Sequence, residues 1–150
     1  VDPKRVAALA ARAESAGAVE IALGDTIGVA TPWDVRAAAE AVREAAPKAR
    51  LRLHFHNTRN TAIANVYAAV EAGVNVIDAS CGGIGGCPFA PKATGNVATE
   101  DVVYLLEKGG YATGIDLDAM IETARWLEET ALKHPIASAL AKAGGFPASA

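Results

Sequence analysis

RLRLHFHNTRNTAIANVYAAVEAGVNVIDAS, residues 50–80, decides how this chain folds. Arg50–His56 reads as a strand, Thr61–Ala72 as a helix closed by Gly73, and Val74–Ser80 as a second strand. A strand, a crossover helix and a strand form the sequence signature of a parallel βαβ unit, because parallel neighbours need a long connection. Upstream the same cycle has already run once. AVEIALGDTI, residues 18–27, concentrates apolar and β-branched residues and is followed by the loop residues Gly28, Thr31 and Pro32. Thr31 is a helix N-cap candidate with Pro32 at the first helical position, and Val35, Ala38, Ala39 and Val42 then lie on one stripe until Pro47. The chain opens with a helix over Val1–Gly17, whose Val6, Leu9, Ala10 and Ala13 keep helical spacing up to a glycine suited to follow a helix.

Downstream of the third strand comes a long loop, Cys81–Asn96, then a helix over Val97–Gly109 and a last helix over about Asp116–Lys133. Residues 134–150, rich in Ala, Gly and Pro, form a weakly specified tail, and residues 1–133 carry the organised βα units. The spacing G-x-G-x-x-G of a dinucleotide fold is missing after the first strand, and the glycines of GGIGG, residues 82–86, do not open a helix. Every strand instead ends in polar or reactive residues, first Asp25 and Thr26, then His54, His56 and Asn57, then Asp78 and Ser80. That distribution matches barrel units, in which function gathers at the carboxyl ends of the strands.

Composition sets outer limits. The 150 residues are 51% hydrophobic and 21% charged, with a net charge of −3 and the two signs interspersed, which disfavours a nucleic-acid partner. No apolar run approaches a membrane span and no signal-peptide core opens the chain, so the sequence reads as soluble and cytoplasmic, with no membrane partner. Cys81 and Cys87, six apart in a glycine-rich segment, read as reduced thiols.

His54 and His56, one residue apart on a strand, point to one face and can converge on one ion; the alternative is a pair of polar strand-end residues bonded to neighbours. His134, beside Pro135, reads as a surface residue. Asp25 in LGDT is a base, a ligand-orienting group or a turn cap. Asp78 in VIDAS points either into the barrel or against a helix. Cys87, in CGGIGGCPFAPKATGN, is placed to act as nucleophile, metal ligand or proton donor, while Cys81 reads as an inert small hydrophobe. Asn96 either caps the following helix, with Glu100 completing the cap, or offers its amide oxygen to a hard cation.

LGDTIGVATP (23–32), HFHNT (54–58) and above all GGIGGCPFAPKATGNVATEDVVYLL (82–106) resemble the hydroxymethylglutaryl-CoA lyase family, among the metal-dependent aldolase-type lyases and synthases. The resemblance implies an α/β fold made of about strands 6 to 8 of a TIM (β/α)8 barrel plus C-terminal helices. It implies that His54, His56 and Asn96 are metal ligands, that Asp25, Cys87 and Glu100 are catalytic, and that the cofactor is Mg2+ or Mn2+. The implied reaction cleaves 3-hydroxy-3-methylglutaryl-CoA, or a related 3-hydroxyacyl-CoA, to acetyl-CoA and a keto acid, in a full-length protein that is a homo-oligomer. A synthase or aldolase of the same superfamily and a non-catalytic metal-binding half-barrel are the alternatives. Asn57 and Arg59-Asn60-Thr61 stand where better-known lyases read Asp and Tyr-Gly-Gln, which opens the acyl group to variation. The family's first strand, with its aspartate ligand and arginine, has no counterpart here, so the expectation is a piece of a larger barrel, inactive alone.

Overall fold

A computed structural model describes residues 1–86 and 95–147. In chain order it contains α1 (Pro3–Ser15), β1 (Glu20–Asp25), α2 (Pro32–Ala45), β2 (Arg50–Phe55), α3 (Ala62–Glu71), β3 (Val76–Asp78), a 3-10 turn at Cys81–Gly83, α4 (Thr99–Lys108), α5 (Leu117–Trp126) and α6 (Ala139–Ala143). The strands are parallel and lie in chain order, with β2 in the centre. Glu20 pairs with Arg50 and Asp25 with Phe55 at the two ends of one ladder, while Arg52 pairs with Val76 and His54 with Asp78 in the other.

Alternation along β2 sets the two sides of the sheet. Leu51, Leu53 and Phe55 are buried and pack with Ile21, Leu23 and Ile77 against α1 through α4, where Ala39, Val42, Ala62, Val66, Ala69 and Val102 complete the core. Each such Leu or Phe removed from water contributes about 1.5–3 kcal/mol, so this one-sided core carries the sheet. The opposite face bears Glu20, Ala22 and Gly24 of β1, Arg50, Arg52 and His54 of β2, and Asp78 of β3, all partly or fully exposed. Helices on one face over a sheet in chain order are the arrangement of barrel units; a doubly wound sheet would bury both faces.

Capping accounts for several boundaries. Thr31 and Asp34 form a reciprocal capping box at α2, with Pro32 in its first turn. Asp2 accepts from Lys4 N at 2.9 Å at the start of α1, and Asp116 accepts from Ala119 N at 3.0 Å at the start of α5.

Other boundaries differ from the sequence pattern for tertiary reasons. The third strand is confined to Val76–Asp78, and Ser80 instead bridges to Ala98. α4 starts at Thr99 because residues 96–98 run extended: Val97 N donates to Phe55 O at 3.0 Å, and Ser80 N donates to Val97 O at 3.1 Å. Backbone groups claimed by two strands cannot enter a helix. α5 ends at Trp126 and continues as a wider π-type coil over Leu127–Leu132 that stops at Lys133.

The tail acquires its place from α4. Asp101 accepts from Ser138 Oγ at 3.1 Å, Ala139 N at 3.2 Å and Leu140 N at 2.9 Å, which caps α6, while Ile136 and Ser138 are buried. None of the described helices is long and apolar enough to cross a membrane.

Candidate functional site

The carboxyl ends of the strands and the loops after them form one mouth. Asp25 closes β1, His54 lies in β2 and His56 just beyond it, and Asn96 arrives from the far side of the cysteine loop. His56 and Asn96 form an isolated antiparallel bridge, and Asn57 N donates to Gly95 O at 3.3 Å. The extended stretch 96–98 that shortens α4 therefore brings Asn96 beside the histidines. Asn96 caps no helix: the N-cap of α4 is Ala98, which has no side-chain cap bond.

The rings of His54 and His56 meet edge to face with centroids 5.2 Å apart. His56 is buried, and its Nδ1 has no hydrogen-bond partner among the described residues. Burial, and then the neighbouring His54, hold its pKa below the usual value of 6.5, against an opposing pull from Asp25. A neutral imidazole with a free lone pair is the form that binds a cation. Asn96 spends its amide nitrogen on Ile84 O at 2.9 Å, which leaves Oδ1 as its acceptor. A Cβ on Gly85, whose φ is +112°, would fall 2.6 Å from that nitrogen, so the glycine makes room for the amide. Two imidazoles and an amide oxygen suit a divalent ion. Among the described residues no group of three or more His, Cys, Asp or Glu side chains is placed to hold one, so the set is a partial one.

Asp25 is committed to its own loop. Oδ1 accepts from Val29 N at 2.9 Å and Oδ2 from Ala30 N at 3.1 Å, the arrangement of the turn-capping reading, while its influence on His56 keeps it electrostatically within the mouth. Glu100 is fully buried in the first turn of α4. Its carboxylate accepts from Gly82 N at 2.8 and 3.2 Å and from Cys81 Sγ at 3.4 Å, so it holds the start of the cysteine loop. Burial first, and then the bond to Glu100 and its charge, push the Cys81 thiol up to about 11. Gly82 is gripped from its other side by the tail, through Ala137 N donating to Gly82 O at 3.0 Å. Cys87 lies outside the described residues.

Three features go beyond the sequence reading, which marks Arg59 only as part of a departure from better-known lyases. Arg59 Nη1 donates to Ile27 O at 3.0 Å and Gly28 O at 2.9 Å, which ties the loop after β2 to the loop after β1. Buried Asn65 makes a second tie, its Nδ2 donating to Ala30 O at 2.9 Å; an Asn inside the apolar run of α3 was the available signal. The third is the set of charges on the open sheet face, Glu20, Arg50 and Arg52, which reaches Asp78 and through it His54. His134 is exposed, and among the described residues its ring bonds Pro135 O at 2.9 Å.

Comparison with known proteins shows what the chain resembles as a whole. The HMGL-like family model matches residues 1–127. The chain is 48% identical over 144 residues to (R)-citramalyl-CoA lyase of Chloroflexus aurantiacus, covering 96% of this chain and 45% of that protein. It is 47% identical over 113 residues to hydroxymethylglutaryl-CoA lyase YngG of Bacillus subtilis, covering 75% of this chain and 38% of that protein. Among solved structures, an HMG-CoA lyase from Acinetobacter baumannii in complex with coenzyme A and 3-methylmalate superposes with a TM-score of 0.89 at 42% identity, over 98% of this chain and 48% of that one. The chain spans less than half the length of each of these three proteins.

Proposed function

The chain belongs to the HMGL-like family, and on that premise we propose that it forms the carboxyl-terminal βα units of a divalent-metal-dependent lyase that cleaves a carbon–carbon bond of a 3-hydroxyacyl-CoA. The observation that carries the reading is the meeting of His54, His56 and Asn96 at the mouth of the sheet, with Asn96 at the end of the cysteine loop. His54, His56 and Asn96 would hold the cation, with the remaining ligands supplied by barrel strands outside this chain. When bound, such an ion supplies Lewis acidity toward substrate oxygens.

The chain's own residues prepare that chemistry. Burial lowers the His56 pKa and so favours the neutral ring, the form that binds a cation. Asp25 fixes the loop Asp25–Ala30 through two backbone N–H groups and presents negative charge beside His56, where a hydroxyl proton would depart. Glu100 anchors the turn from which the cysteine loop leaves the sheet, acting through Gly82 and Cys81. On the resemblance of its motif, Cys87 is the proton donor to the enolate carbon released when the bond breaks, its thiol proton replacing the one lost by the hydroxyl.

The acyl group is the finer question. Identity is 48% to a citramalyl-CoA lyase and 47% to a hydroxymethylglutaryl-CoA lyase, values that favour neither substrate. The test is to supply the full-length protein, with Mg2+ or Mn2+, with 3-hydroxy-3-methylglutaryl-CoA and with citramalyl-CoA in turn and to follow acetyl-CoA. Release of acetyl-CoA from either supports the reading. Release of free CoA from acetyl-CoA and an oxo acid, with neither acyl-CoA cleaved, would make the protein a synthase. The full-length protein is proposed to be a homo-oligomer acting in the cytoplasm.

A further inference from the structure

Below the two histidines a row of charges crosses all three strands on the open face. Glu20 of β1 pairs with Arg50 Nη2 at 2.5 Å and with Arg52 Nε at 3.2 Å. Arg52 Nη1 reaches Asp78 Oδ1 at 3.3 Å, and the other carboxylate oxygen, Oδ2, stands 3.9 Å from His54 Nδ1. Register makes the last pair unavoidable, because His54 and Asp78 are direct cross-strand partners on the same face.

We propose that Asp78 is a positioning residue for His54: one of its oxygens is held by Arg52, and the other selects the tautomer of the imidazole. A carboxylate can only accept, so the nitrogen facing it carries the proton and the lone pair falls on Nε2. The 3.9 Å separation is ion-pair distance, one short step from a hydrogen bond, and contacts of this kind tighten when a site is loaded. Arg52 occupies the other oxygen of Asp78, and Glu20 restrains Arg52 in turn. Ligating histidines with the second ring nitrogen donated to a carboxylate are the common second layer of metal centres. The inference rests on the reading of His54 as a cation ligand, and it assigns to Asp78 a part in the site that its sequence context left open.

The rival role for Asp78 is that of a mere counter-ion to Arg52, and binding of Mn2+ to the full-length protein, followed by electron paramagnetic resonance, separates the two. Asp78→Leu keeps the branched shape but no acceptor and is expected to weaken Mn2+ binding by about 10–100-fold. Asp78→Asn keeps an acceptor for the Nδ1 proton, and Arg52→Met keeps Asp78 itself, so each is expected to stay within about threefold of the parent, well short of that loss. Losses of equal size in Asp78→Asn and Asp78→Leu would overturn the proposal, since charge alone would then matter. If Asp78→Leu fails to fold, a loss of about tenfold or more in Asp78→Asn overturns it equally. His54→Ala marks the underlying reading: if that variant binds Mn2+ as tightly as the parent, His54 is no ligand and both fail. If it loses binding while Asp78→Leu keeps it, the assignment of Asp78 alone is wrong.

Discussion

Replacing Glu100 by Gln leaves its shape nearly intact and removes its charge, and three properties of its surroundings set the cost. The side chain is fully buried, its oxygens take Gly82 N at 2.8 and 3.2 Å, and Cys81 Sγ lies 3.4 Å away. A hydrogen bond to a charged acceptor contributes about 1.5–3 kcal/mol and a neutral one about 0.5–1.5 kcal/mol. Glu100→Gln should therefore cost about 1–2 kcal/mol, with loss of a favourable charge in the first turn of α4 included. Glu100→Ala leaves the Gly82 N–H unpaired and opens a cavity, so about 3–5 kcal/mol is expected. Urea unfolding of the full-length protein measures both. Thiol chemistry supplies an independent check in a Cys87→Ser background. A thiol moved from 9.0 to about 11 has roughly 100-fold less thiolate at pH 8. Cys81 should alkylate slowly in the parent and faster in Glu100→Gln, yet still slower than a free thiol, because burial is the larger cause of the shift. Unchanged stability together with unchanged labelling in Glu100→Gln would refute the anchoring role.

Three further perturbations test other parts of the mouth and its supports. Gly28→Ala places a Cβ 2.7 Å from Thr58 Cβ and Oγ1 at a φ of +60°, and thermal or urea unfolding should show a loss of about 2–4 kcal/mol. Asp101→Ala removes the acceptor of Ala139 N and Leu140 N at the start of α6, a loss of about 1–2 kcal/mol, and should raise the rate of tryptic cleavage after Lys133. His56 has a folded pKa below its unfolded value, so the unfolded chain takes up the proton first. Stability is full above about 6.5 and falls as pH drops below it, and in chelator the difference in unfolding free energy between pH 7.5 and 5.5 should shrink in His56→Gln.

What the sequence discloses and what it hides divide along the range of the interactions. The parallel order of the strands, the cap at Thr31 and the shared face of His54 and His56 follow from local period and spacing, and the structure shows each of them. Asn96 looks like a helix cap in one dimension because it stands just ahead of VATED. Its backbone instead bridges to His56, 40 positions earlier, a pairing that no local pattern announces. Glu100 likewise reads as a cap or an acid, yet its partner is Gly82 N, 18 residues back. Arg52 alternates with Leu51 and Leu53 as a solvent-facing residue would, and the pattern cannot distinguish solvent from the interior of a barrel. The tail carries no strong period because its order comes from Asp101, 37 residues before Ser138.

The central claim is that the mouth formed by His54, His56 and Asn96 serves cation-dependent cleavage of an acyl-CoA. The direct measurement is the rate of acetyl-CoA release by the full-length protein and its His56→Ala variant, at saturating Mn2+, from whichever of the two acyl-CoA substrates the parent cleaves. The account predicts a loss of about 100–1,000-fold, the scale of removing one principal electrostatic element from an active site. A folded His56→Ala variant that turns over at the parental rate would contradict it.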